Sequence, residues 1–108
     1  MSTTAQPAHP RLVVVGHPLL QVQLSCLRDA NTPPAAFRQA LDRAATLLVA
    51  AATADLPTKA LALRTPLQPT EGRQLANPVA LVPILRAGLG MLDAALRLEL
   101  GLWTVVVH

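Results

Sequence analysis

The stretch VALVPILRAGLGMLDAAL, Val79 to Leu96, runs an apolar segment into an amphipathic one through a single arginine, Arg86, and two glycines at alternate positions, Gly88 and Gly90. The longer run PVALVPIL, Pro78 to Leu85, has the continuous apolar character of a strand covered on both faces, as in a parallel sheet. From Leu89 to about Leu98 the apolar residues recur at helical spacing. LWTVVVH, Leu102 to His108, again reads as a buried strand. Strand, Gly-containing loop, helix and strand in that order form a βαβ unit, which implies a parallel sheet with a right-handed crossover. The expected fold class is therefore α/β.

Ligands of such sheets sit beyond the carboxyl ends of the strands, and Arg86 lies at such an end. Glycine lets main-chain N–H groups approach a ligand closely. A helix starting there directs its positive end and its unpaired N–H groups to the same place. A guanidinium beside that loop adds a fixed charge whose forked donors fit phosphate. A charged residue closing a strand and a glycine in the next turn are also what an ordinary connection contains. The residues alone leave both readings open, an anion nest or a structural turn.

Working outward, the chain has 108 residues, enough for one small domain with a core. Hydrophobic residues make up 52% and charged ones only 14%, so the composition is neither disordered nor fibrous. The apolar excess predicts surface that either a partner subunit or missing chain should cover, and a homo-oligomer or a self-associating chain is expected. The net charge is +3, but the basic residues are scattered singly and the only aromatics are Phe37 and Trp103. A nucleic-acid surface clusters its charge or supplies stacking platforms, so no nucleic-acid partner is expected. A few cationic sites for an anionic small molecule fit better. Cys26 is the single cysteine, which rules out an intrachain disulfide and a cysteine-based metal site; its neighbours Leu24 and Leu27 make it a small core filler. No signal peptide is visible and the longest apolar stretch, Leu47 to Ala52, is too short to cross a bilayer, so the expected compartment is the cytoplasm, without a membrane partner.

Residues 1–10 read as a loose polar tail ahead of a folded region, 11–108. RLVVVG, Arg11 to Gly16, reads as a short strand or an extended lead-in. His17 and Pro18 open a helix whose Leu20, Leu24 and Leu27 share a face; His17 is expected to cap or pack at the helix start rather than to serve as a ligand group. Thr32 is the expected N-cap of the next helix, with Pro33 at the first position. That helix should run to about Ala54, burying Phe37, Leu41, Ala44, Leu48 and Ala52 and exposing Arg38, Asp42 and Arg43. ALALRTPL reads as a strand leading into a Pro-broken loop, Pro66 to Gly72.

VPILRAGLGM, Val82 to Met91, resembles a segment of the uracil phosphoribosyltransferase family. The likeness extends in order through HPLLQVQLSCLRDANTPPAAFRQALDRAATLL (His17 to Leu48), ATADLP (Ala52 to Pro57) and RTPL (Arg64 to Leu67), and so runs from about Val13 to the end of the chain. The resemblance implies the first part of a phosphoribosyltransferase-type parallel sheet with N-terminal helices packed on it. It implies the conversion of uracil and 5-phosphoribosyl 1-pyrophosphate into UMP and pyrophosphate, in pyrimidine salvage. By the same resemblance Arg86 binds the diphosphate of the ribosyl donor and Ala87 and Gly88 form the adjoining N–H loop. Magnesium would sit on the diphosphate, as suits a hard cation bridging phosphate oxygens. No protein ligand set for it is visible: Asp29, Asp42, Asp55, Glu71, Asp93 and Glu99 are spread singly, and Asp93 reads as a local cap or pairing residue. By the same resemblance the region of ALALRTPL and its Pro66–Gly72 loop would form an arm that helps build the dimer; read from the residues alone it is an ordinary surface hairpin.

The family pattern also contains a second diphosphate-contacting arginine just after the strand matching WTVVVH, an acidic loop followed by Thr-Gly-Gly, and a uracil site near the C-terminus. None of these stands in this sequence. The expectation is a truncated chain, inactive alone, belonging to that family. The alternatives are a non-catalytic fragment docking on an intact subunit, or an unrelated phosphate-binding α/β module.

Overall fold

A computed structural model describes residues 10–85, 88–98 and 101–104. Its elements are α1 (Pro18–Arg28), α2 (Pro34–Ala52), β1 (Thr58–Arg64), β2 (Pro69–Leu75), β3 (Val79–Leu81), α3 (Leu89–Arg97) and β4 (Gly101–Thr104). The class is mixed α/β. β1 and β2 pair antiparallel, from Thr58 against Leu75 to Arg64 against Pro69. β3 and β4, joined through α3, form a separate parallel pair with Leu81 opposite Thr104. The tail expected over residues 1–10 lies outside the described residues except for Pro10, as does the VVVH end of the last expected strand.

The Arg11–Gly16 segment is a lead-in without helix or strand, and Gly16 is buried. His17 then caps α1 as its position predicts. Its backbone is extended (φ −66°, ψ 131°), and its Nδ1 accepts a hydrogen bond from the Leu19 N–H at 3.1 Å. Pro18 follows at the first helical position, where a missing N–H costs nothing. Leu20 is buried, with Leu24 and Leu27 half-buried on the same side.

Thr32 does not cap α2. The helix starts one residue later than expected, with Pro33 in the cap position and no side-chain cap bond. A cap at Thr32 would accept from the second or third helical N–H, and Pro34 removes the second donor. The Thr32 hydroxyl turns back instead and donates to the Cys26 carbonyl at 2.6 Å, satisfying an orphan acceptor at the end of α1. The turn between the helices is closed by Asp29, whose Oδ1 accepts from the Asn31 N–H at 2.9 Å. Half-buried Cys26 packs there, its Sγ 3.8 Å from the Thr32 hydroxyl.

The buried stripe of α2 is also narrower than its leucine spacing suggests. The fully buried residues are Ala40, Ala44 and Ala45; Leu41 and Leu48 are half-buried, while Phe37 remains 42% exposed and Ala52 is exposed. α2 lies between α1 and α3 and packs on both. α3 has its own buried alanines, Ala94 and Ala95. Gly90 of α3 sits against the Leu41 side chain. Asp42, expected to be solvated, instead forms an ion pair with Arg97 across the α2–α3 seam. Both groups stay partly exposed, so the pair contributes only about 0.2–1 kcal/mol. Among the described residues the core consists of Leu20 and these alanines, and no large side chain is fully buried.

The hairpin stands apart. Its strand β1 is exposed along its whole length, and neither strand packs substantially on a helix. The loop expected over Pro66 to Gly72 is shorter, because β2 already begins at Pro69. Thr65 ties the turn by donating its hydroxyl and its N–H to the Gln68 carbonyl, at 2.7 and 2.9 Å. Arg73 reaches across to Thr58, donating to its carbonyl at 3.0 Å and its hydroxyl at 2.9 Å.

The strand expected over Pro78 to Leu85 shrinks to Val79–Leu81. Pro83 cannot donate to a ladder, so regular pairing stops before it. Pro83 is itself buried, but Val82 and Ile84 are 53% and 65% exposed, contrary to a strand covered on both faces.

Candidate functional site

The connection from β3 to α3 is the place where the sequence concentrates its chemistry. Of the three residues expected to hold an anion, Arg86 and Ala87 lie outside the described residues, and Gly88 is described. Gly88 occupies the cap position of α3, as a helix-initiating loop requires, with helical torsions (φ −73°, ψ −11°) that any residue can adopt. Its need for glycine is spatial. A Cβ there would lie 2.8 Å from the Ile84 nitrogen, 2.9 Å from the Ile84 oxygen and 3.2 Å from the Pro83 Cα. Gly88 therefore lies tightly against the backbone of Pro83 and Ile84, and its N–H donates to the Ile84 carbonyl at 2.7 Å. The Gly88 carbonyl in turn accepts from Met91 and Leu92, both at 3.2 Å, starting the helix.

This connection walls an open groove of about 560 Å³ whose sides include Val49, Leu81, Ile84, Gly88 and Met91. Every described side chain lining it is apolar. A second groove of about 540 Å³, lined by Val13, Val15, Leu48 and Asp55 among others, adjoins it through Val49 and Met91. Sequence reasoning did not single out Val49 or Met91. Their signal was the apolar excess, which announces uncovered surface without locating it.

Among the described residues no three His, Cys, Asp or Glu side chains cluster to hold a metal ion. Asp42 is engaged with Arg97, Glu71 lies 3.6 Å from Arg73, and Asp29 is bound to its own turn. Asp93 is exposed on α3. Among the described residues, no helix is long and apolar enough to cross a membrane.

The family model described as uracil phosphoribosyltransferase matches residues 14–105. A uracil phosphoribosyltransferase of Streptomyces griseus is 48% identical over 89 residues, covering 82% of this chain and 42% of the relative. That of Campylobacter curvus is 43% identical over 81 residues, covering 75% of this chain and 39% of the relative. A solved protein of Aquifex aeolicus superposes with a TM-score of 0.71 at 28% identity, covering 85% of this chain and 44% of that one. The chain thus spans about two fifths of the length of the curated relatives it matches.

Proposed function

Because the chain belongs to the uracil phosphoribosyltransferase family, we propose that its β3–α3 connection is the diphosphate-holding segment of an enzyme that makes UMP and pyrophosphate from uracil and 5-phosphoribosyl 1-pyrophosphate. The observation that carries this reading is the glycine-tight turn at Gly88, at the start of α3 and beyond the carboxyl end of β3. Arg86 supplies the fixed positive charge for the departing diphosphate, and the N–H groups of Ala87 and Gly88 supply the loop donors. The Gly88 N–H is bonded to Ile84 in the structure, so its donation to a ligand requires this turn to open. Magnesium belongs to this reading as a partner of the diphosphate oxygens. The described residues offer it no ligand set, and the role of Arg86 needs none.

In this reading the two-stranded parallel pair is the start of a larger phosphoribosyltransferase-type sheet, and α1 and α2 are the helices packed before it. Residues 11–108 are then the N-terminal portion of the domain, acting in the cytoplasm in pyrimidine salvage. The family match argues against an unrelated phosphate-binding module.

Titration with pyrophosphate tests the site. Amide shifts should gather at Gly88 and the first turn of α3 in the wild-type chain, and Arg86→Ala should weaken binding at least about tenfold, the loss of a charge-assisted forked contact. Equal titrations of the two chains would mean that the arginine only ends a strand.

The exposed hairpin and the two apolar grooves support self-association, as a homo-oligomer of the family type or by docking on an intact subunit. Val13 is 80% exposed, Leu67 95% and Ile84 65%, and apolar surface of this kind is covered in stable proteins. Sedimentation at micromolar concentration should detect species larger than the monomer. A single monomeric species that unfolds cooperatively would contradict this.

A further inference from the structure

We draw no further inference here: the strongest candidate, the pair of apolar grooves that meet at Val49 and Met91 between α2, α3 and the β3–α3 connection, carries none because nothing in the structure shows what covers them.

Discussion

Gly88→Ala should lower the melting temperature by about 5 °C or more. The added methyl would sit under 3 Å from both the nitrogen and the oxygen of Ile84, and main-chain atoms held in a turn cannot swing aside as a side chain can. Overpacking of this kind costs about 1–3 kcal/mol, and each kcal/mol shifts the melting point of a domain this size by roughly 4–8 °C. Gly90→Ala provides the contrast. Its methyl would meet only the end of the Leu41 side chain, at 2.7 Å from Cδ2, which can rotate. Alanine inside a helix also gains about 1 kcal/mol over glycine, so this variant should melt within a few degrees of the parent. Thermal unfolding followed by helical circular dichroism distinguishes the two. Equal melting of both variants with the parent would mean that Gly88 does not lie so close to the Ile84 backbone.

The second large effect concerns activity. The chain by itself should form no UMP from uracil and the ribosyl donor, whereas a chain lengthened to the span of its relatives should form it readily. Catalysis requires all reacting groups to be positioned together, and holding one end of a substrate supplies only part of that positioning. The family's acidic Thr-Gly-Gly stretch does not stand in this sequence, and the groove beside the β3–α3 connection is lined by apolar described side chains rather than donors for a ribose phosphate or a pyrimidine edge. Appreciable turnover by the short chain, free of host enzyme, would overturn this account.

The elements of this fold were legible where local chemistry decides them. His17 before Pro18 announced a capped helix start, and α3 begins and ends within a residue of its expected bounds. The family resemblance, carried by ordered short matches from about Val13 onward, agrees with the family match over residues 14–105. What failed depended on neighbours. Leucine spacing on α2 marked an apolar face but did not reveal that its buried residues would be alanines. Asp42 read as solvated because its partner Arg97 is distant in sequence. Strand β3 came out short because Pro83 outweighs the apolar run around it. The candidate site rests on a sequence pattern of arginine and glycine; of its residues Gly88 stands at the head of α3, while Arg86 and Ala87 fall outside the described residues. The steric reason for Gly88 could not be seen beforehand, since it depends on how close the chain returns to Ile84.

The central claim is that the Arg86–Gly88 segment grips the donor's diphosphate, and steady-state kinetics of Arg86→Ala in the lengthened chain test it most directly. Initial UMP formation is measured with each substrate varied in turn. A lost contact to the diphosphate should lower kcat/KM for the ribosyl donor by about 100-fold, since a charge-assisted pair contributes roughly 1.5–3 kcal/mol. The KM for uracil should change by no more than about threefold. A variant that uses the donor as well as its parent does, or one whose defect falls on uracil alone, would contradict the assignment.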